Sequence, residues 1–209
     1  MKCRFSAIFK KTLYLFPLFI LCLVIGVTMT SCSKKAEEPA SENPFFSEYK
    51  TPFQVPPFDI IKPEHFIPAY EAGMSEHSKE IDIIVNNQEA PTFENTIAAL
   101  DCSGRLLTRV SRVFGGLSGA NTNDELKAIQ KEMSPRLAAH NDEINLNEKL
   151  FARVKAVYEN RDKEDLTAEQ AYLLENIYKG YIRSGANLND EEKAKLKEIN
   201  QKLSVLAVQ

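Results

Sequence analysis

From Lys62 onward, apolar residues recur every three or four positions, which is the period of an amphipathic α-helix. Pro63 suits the first turn of a short helical segment, and Pro68 would break a longer one. We therefore predict a main helix from Pro68 to about Asn86. The stripe along this helix consists of Tyr70, Met74, His77, Ile81 and Ile84. A stripe on one face predicts that the helix packs against other helices.

Capping signals divide the remainder into five further helices. Thr92 is the predicted N-cap of the second helix, which we expect to continue without a break to Gly115 and Gly116. Three others begin with a capping box, in which two residues three positions apart satisfy each other's backbone N–H groups. The boxes are Thr122 with Glu125, Thr167 with Gln170, and Asn189 with Glu192. A short helix over Leu150–Tyr158 completes the set. No stretch alternates as a strand does, so the predicted fold class is all-α.

The sixth helix carries an apolar stripe for which the sequence offers no later partner. The stripe consists of Leu196, Ile199, Leu203 and Leu206. The last turn has neither a glycine nor a basic residue to satisfy the final carbonyl groups. We therefore expect this chain to be the front part of a larger protein whose later residues cover the stripe.

Residues 44–61 are rich in proline and phenylalanine. Prolines at this density exclude a long helix and favour extended backbone, whereas the aromatic rings favour burial. The prolines and phenylalanines are Pro44, Phe45, Phe46, Pro52, Phe53, Pro56, Pro57 and Phe58. We predict an ordered arm that lies on the helices, the alternative being a flexible tether.

The N-terminal 31 residues have the features of a secretory signal. Four basic residues and no acidic one accompany an apolar run from Leu13 to Val27, which is short for a membrane span. The following Met29–Cys32 segment resembles the lipobox of bacterial lipoproteins, in which the cysteine is acylated. We therefore predict a lipoprotein signal at 1–31, lipidation of Cys32, a flexible tether at 32–43 and a helical region at 44–209. The alternative is an ordinary signal peptide with an incidental cysteine.

Charge limits the partners. The chain has 26 basic and 29 acidic residues. Removal of the signal would leave 22 basic residues against the same 29, a net charge of −7. This balance argues against nucleic acid and anionic lipid headgroups as partners. Attachment to a bacterial membrane, on its periplasmic or cell-surface side, would then depend on the acyl chains of Cys32.

No catalytic constellation is recognisable in the sequence. His65, His77 and His140 form no His-Glu-x-x-His motif, and there is no Cys-x-x-Cys pair and no glycine-rich phosphate loop. We therefore assign no catalytic, metal-binding or substrate-binding residue. His77 lies on an apolar stripe and is predicted to be packed and hydrogen-bonded, whereas His65 and His140 are predicted to be partly exposed.

Several segments together resemble a known family. They are Asn43-Pro44-Phe45, residues 56–66 (Pro-Pro-Phe-Asp-Ile-Ile-Lys-Pro-Glu-His-Phe), residues 91–101 (Pro-Thr-Phe-Glu-Asn-Thr-Ile-Ala-Ala-Leu-Asp), residues 183–188 (Arg-Ser-Gly-Ala-Asn-Leu) and residues 192–206. In this order they resemble the N-terminal region of the thimet-oligopeptidase-like zinc metallopeptidases, particularly the bacterial peptidyl-dipeptidases. The resemblance covers nearly all of residues 43–209.

The resemblance implies the helical N-terminal lobe of a larger, two-lobed peptidase that releases C-terminal dipeptides from oligopeptides. It also implies a zinc ion in the complete parent, held on a later His-Glu-x-x-His helix that no position here matches. We therefore expect this chain alone to be inactive. The alternative is a non-catalytic helical lipoprotein that binds peptides or a partner protein.

Overall fold

The computed structural model describes residues 43–208, all of which are in one compact unit. The predicted signal, Cys32 and nearly all of the predicted tether lie outside the described residues. Within this range the structure is helical and contains no strand, which confirms the all-α prediction. The α-helices are α1 (Phe66–Val85), α2 (Ala99–Asp101), α3 (Arg105–Ala120), α4 (Asp124–Asn145), α5 (Glu148–Asn160), α6 (Ala168–Arg183) and α7 (Asp190–Leu206).

Shorter helical segments connect these elements. The 3₁₀ turns are Pro44–Phe46, Pro52–Gln54, Pro63–His65 and Arg161–Lys163, and a π-helical segment, Phe93–Ala98, leads into α2. Three of the four 3₁₀ turns begin with proline, whose fixed φ and missing N–H suit the first helical position. None of the helices described here is long and apolar enough to cross a membrane.

The capping boxes at Thr167 and Asn189 are confirmed, but the one predicted at Thr122 is wrong. The side-chain oxygen of Asn123 instead accepts a hydrogen bond from the backbone N–H of Leu126 at 2.8 Å, so α4 begins one residue later than predicted. Asparagine caps a helix at least as well as threonine, and the local spacing alone does not choose between neighbours. Thr92 is confirmed as the N-cap of the π-helical segment.

The predicted second helix is broken at Gly104. This residue has φ +66°, a left-handed conformation that favours glycine, and it separates α2 from α3. The carboxylate of Glu80 accepts a hydrogen bond from the Gly104 N–H at 2.7 Å, and a Cβ at Gly104 would lie 3.0–3.1 Å from the ring of His77. The uninterrupted helix was predicted because the apolar period continues across the break.

Two apolar clusters make up the core. The first joins the arm, the N-terminal part of α1, α3 and the N-terminal part of α4; its members include Phe45, Phe66, Tyr70, Val110, Phe114 and Met133. The second joins the C-terminal end of α1, the π-helical segment, α5 and α6; its members include Ile84, Ile97, Leu150, Val154, Val157 and Leu174. Helix α7 packs on α4.

The arm lies on the helices, as predicted, but mainly through one phenylalanine. The ring of Phe45 is fully buried 5.3 Å from that of Phe66, which packs edge-on against Phe114 at 5.1 Å. Phe46, Phe53 and Phe58 are at least half exposed, so the expectation that the aromatic residues of the arm would be buried is wrong for these three. Each proline-set bend of the arm can direct only some of its rings towards the helices.

Candidate functional site

A network of hydrogen bonds connects the middle of α1, the C-terminal half of α4 and the break at Gly104. His77 Nδ1 lies 3.1 Å from His140 Nε2, and His77 Nε2 lies 3.2 Å from the hydroxyl of Ser103. The Ser103 hydroxyl also donates to the carbonyl of Leu100 at 2.7 Å. Along α1 and α4 the two histidines fall between the residues of the two apolar clusters. This hydrogen-bond network therefore supplies polar contacts where the apolar core is interrupted.

Only one placement of the hydrogens satisfies every group in this hydrogen-bond network. Ser103 has a single hydroxyl proton, which goes to Leu100, so His77 donates to Ser103 from Nε2. His77 then accepts from His140 at Nδ1. In this arrangement His77 gives a proton towards the serine oxygen and cannot withdraw one. The geometry is therefore that of a structural network rather than of an activated serine nucleophile.

Both histidines are held in the neutral form. Burial lowers the pKa of His77, and the neighbouring His140 lowers it further. Burial also lowers the pKa of His140, although Glu143 partly opposes this. The prediction that His77 is packed and hydrogen-bonded is confirmed, but the prediction of partly exposed His65 and His140 is wrong, since both are buried. His65 accepts a hydrogen bond from the backbone N–H of Lys62 at 3.1 Å.

This pair predicts a loss of stability in mild acid. Because the folded pKa values of both histidines are lowered, the unfolded chain binds protons more readily below about pH 6.5, the ordinary value. The free energy of unfolding should therefore fall as the pH drops through this value. In the double variant H77Q/H140Q this part of the pH dependence should disappear, while the carboxylates titrate as before. Urea denaturation at pH 5.0–7.5 measures the free energy of unfolding of the two proteins. Parallel plots of this free energy against pH would contradict the prediction.

The described residues do not fit a catalytic zinc site. Such a site needs three protein ligands, and no group of three His, Cys, Asp or Glu side chains is clustered in residues 43–208. The two imidazole nitrogens of His77 and His140 face each other, but no third metal-ligating side chain joins them.

A second candidate for function is the outer face of α7. Four apolar side chains on this helix are between 37% and 63% exposed: Ile199, Leu203, Val205 and Leu206. Isolated exposed leucines are common, but a row of them at helical spacing is typical of an interaction surface. Of the stripe predicted from the sequence, Ile199, Leu203 and Leu206 are the exposed members in the described part of the chain.

A neighbouring face of α7 is held by polar contacts. The ammonium of Lys193, which is buried, lies 2.7 Å from the carboxylate of Glu148 at the start of α5. Asn200 donates to the carboxylate of Asp142 on α4 at 2.7 Å. These contacts anchor α7 to α4 and α5, and the apolar row remains exposed in this orientation of the helix.

The segments that carry the family resemblance form joints of the fold. At Thr92 and Asn95 the capping box opens the π-helical segment, with Asn95 Nδ2 also donating to the carbonyl of Ala90 at 2.9 Å. At the end of α6, Gly185 has φ +92°, and Ala186 donates to the carbonyl of Tyr181 at 3.0 Å, which forms a Schellman C-cap. These residues position helices and contribute no reactive group.

Comparison with known proteins identifies relatives along most of the chain, although no family model matches it. It is 41% identical over 169 residues to a dipeptidyl carboxypeptidase of Salmonella typhimurium, covering 81% of this chain and 25% of that protein. It is 26% identical over 163 residues to oligopeptidase A of Escherichia coli, covering 76% of this chain and 23% of that protein. A thimet-like oligopeptidase of Dictyostelium discoideum is 27% identical over 144 residues, covering 68% of this chain and 20% of that protein.

The matched region thus spans about a quarter of the length of these relatives. The resemblance read from the sequence motifs and the independent comparison agree on the same family. This chain belongs to the thimet-oligopeptidase-like peptidases and corresponds to their N-terminal region.

Proposed function

We propose that this chain is the N-terminal, helical part of a zinc-dependent peptidyl-dipeptidase, which releases dipeptides from the C-terminus of oligopeptides. The observation that carries the proposal is the 41% identity to a dipeptidyl carboxypeptidase over 81% of the chain. At this level of identity over a whole helical region, a shared fold and a shared role of that region in the parent are expected.

The chain alone is proposed to be inactive. The sequence has no His-Glu-x-x-His motif, and the relatives are about four times longer than the matched region. In the proposed parent, zinc and its ligands come from residues outside this chain. The helices described here would contribute one wall of the lobe and the surface on which the remainder packs.

The exposed row on α7 is the proposed contact with that remainder. Covering the side chains of Leu203 and Leu206, which are 57% and 63% exposed, would remove a large apolar area from water. The length of chain that the relatives possess beyond the matched region is sufficient for this role. The short distance along the chain from α7 to any following segment also favours an intramolecular partner.

Cys32 is the proposed membrane anchor. The basic residues and short apolar run before it, and the polar composition after it, support export followed by acylation. Two or more acyl chains are needed for stable anchoring, and bacterial lipoprotein processing supplies them on one cysteine. The peptidase would then act on oligopeptides at the periplasmic or outer surface of a bacterial membrane.

The test compares two proteins made from the same gene region. One is the full 209-residue chain, and the other is this chain continued to the length of its relatives by the downstream reading frame. We expect the longer protein to release the C-terminal dipeptide from an unblocked hexapeptide, with the activity lost on chelation, and the 209-residue chain to release none. Chelator-sensitive release by the 209-residue chain, or none by the longer protein, would overturn the proposal.

The same preparations separate the peptidase from the binding-module alternative. If the 209-residue chain is the complete product and binds peptides without cleavage, its solubility should not depend on the α7 row.

In the Cys32→Ala variant we expect the protein to leave the membrane fraction, measured by immunoblotting of sedimented membranes. If the variant sedimented with the membranes as before, the proposal that Cys32 is the membrane anchor would be contradicted. The peptidase assignment would still be tested by the dipeptide-release assay.

A further inference from the structure

A positively charged groove separates the arm from α3. It has a volume of about 560 Å³, which is within the range of small-ligand sites. Arg105, Arg109 and Arg112 line it, spaced four and three residues apart and thus on one face of the helix. Helix α3 contains these three arginines and no acidic residue, in a chain whose net charge is −3. The groove therefore concentrates positive charge on an acidic protein.

Arg109 is used to build the groove. Its guanidinium donates to the backbone carbonyl groups of Phe45 and Ser47, at 3.1 Å and 2.9 Å, and lies 5.5 Å from the ring centre of Tyr49. These contacts hold the arm against α3 and so fix the width of the groove. With its Nη1 donors committed to the arm, Arg109 is a structural member of the wall.

Arg105 and Arg112 have no such commitment. Both are exposed, and no hydrogen bond or ion pair joins either one to another side chain of residues 43–208. They lie two helical turns apart, on either side of the fixed Arg109. A guanidinium with unused donors recognises carboxylate or phosphate groups in a bidentate geometry.

Tyr49, which comes from the arm, also lines the groove. Its hydroxyl oxygen is buried and has no hydrogen-bond partner in the described part of the chain. Burial raises the pKa of this phenol, although Arg109 partly opposes the shift, so the hydroxyl keeps its proton and can donate it.

The strained turn that brings Gln54 to the groove also carries an exposed ring, that of Phe53. Phe53 and Gln54 both have left-handed backbone conformations, with φ +57° and +56°, which non-glycine residues adopt at a cost. The Phe53 side chain is 98% exposed, and Gln54 lines the groove. An apolar ring beside a positively charged groove suits a ligand that has both an apolar side chain and an anionic end.

Two carboxylates in the groove restrict the ligand further. Glu48 and Asp101 line it, and among residues 43–208 neither forms an ion pair with the groove arginines. Their negative charges disfavour an extended polyanion such as nucleic acid. They leave room for a ligand with a single carboxylate and a neutral or cationic remainder, which is the charge pattern of a short peptide.

We propose that the groove between the arm and α3 binds the carboxylate of an oligopeptide, with Arg105 and Arg112 as its ligands and Phe53 against a neighbouring apolar side chain. That the carboxylate belongs to an oligopeptide rests on the proposed function; the affinity of the groove for a carboxylate does not. The site lies wholly within this chain, so it can be examined without the longer protein.

The test measures binding of a fluorescent hexapeptide to the full 209-residue chain by anisotropy. One peptide has a free C-terminal carboxylate, a second has a C-terminal amide and no acidic residue, and a third has the amide and one internal glutamate. We expect the free acid to bind about tenfold more tightly than the amide without an acidic residue. Raising the salt from 50 to 300 mM should weaken that preference. Tight binding of the third peptide supports the groove and identifies a side-chain carboxylate as an accepted source.

A pair of variants assigns the binding to the groove. R105A/R112A should raise the Kd for the free acid about tenfold, whereas K127A/K131A removes two exposed positive charges from α4 and should change it less than twofold. Equal Kd values for the acid and the unsubstituted amide overturn the proposal, as do equal effects of the two double variants or no binding at 1 mM peptide. None of these results depends on dipeptide release by the longer protein, so the groove and the proposed function can fail separately.

Discussion

Replacing Gly73 with alanine is expected to lower the free energy of unfolding by about 2–3 kcal/mol. Gly73 lies on the buried face of α1, where that helix crosses α3. An added Cβ would lie 2.9 Å from both the Cα and the backbone nitrogen of Leu107. Backbone atoms cannot rotate away as a side chain can, so the two helices must separate. Because α1 and α3 enclose the first apolar cluster, this displacement would loosen the packing of Phe66 and Phe114 as well.

Gly180 provides the matched control. It is also inside a helix, α6, but an added Cβ there meets nothing within 4 Å. Gly180→Ala should therefore raise the free energy of unfolding by about 0.5–1 kcal/mol, because alanine loses less conformational freedom in a helix than glycine does. Urea denaturation of both variants, followed by circular dichroism at 222 nm, measures the two opposite effects. A G73A variant as stable as G180A would show that the crossing tolerates the methyl group.

The parts of this fold that sequence reasoning predicted correctly depend on local contacts. The capping boxes at Thr167 and Asn189 join residues three positions apart, and an amphipathic stripe needs only the helical period. The open row on α7 was predicted for the same reason, since three of its four residues lie on one stripe. The family resemblance was seen in motifs that occur in a fixed order. One of these motifs contains Gly185, and its structural role as the C-cap of α6 also depends on local contacts.

The parts that were missed depend on contacts between distant residues. The partners His77 and His140 are 63 positions apart, so nothing in the sequence indicated that His140 would be buried. The break at Gly104 is stabilised by Glu80, 24 positions earlier, while the local period continues through it. The spacing of Arg105, Arg109 and Arg112 was visible in the sequence, but the arm that turns this helix face into a groove begins some 60 residues before it.

Arg153 shows how the long-range contacts of a single residue can connect separate parts of this structure. Its guanidinium is buried and donates to the backbone carbonyls of Asn87 and Glu89, at 2.9 Å and 3.2 Å. It also donates to the side-chain oxygen of Asn95 at 3.1 Å. These bonds connect α5 to the loop after α1 and to the capping box of the π-helical segment. Among the described residues the carbonyl groups of Asn87 and Glu89 accept no backbone hydrogen bond, so Arg153 pairs groups that would otherwise lack a protein donor.

Replacing Arg153 with methionine is expected to lower the free energy of unfolding by about 2–4 kcal/mol. Methionine keeps most of the apolar stem but leaves the carbonyl groups of Asn87 and Glu89 without their donor. The stability of Arg153→Lys should lie between that of the unsubstituted protein and that of R153M. An ammonium keeps the charge but cannot reach all three acceptors as the planar guanidinium does. Urea denaturation measures the loss, and limited proteolysis should show faster cleavage between residues 87 and 92 in R153M.

Arg161 is the control, because it differs from Arg153 in burial rather than in charge. It is exposed, donates to the carbonyl of Tyr158 at 2.7 Å and lies over the ring of Tyr158 at 4.3 Å. Its replacement by methionine should cost less than about 1 kcal/mol, since water can replace each contact. If R153M and R161M lost the same stability, the buried guanidinium would not be what holds the loop. The capping box at Thr92 and Asn95 would then have to position the π-helical segment without support from α5.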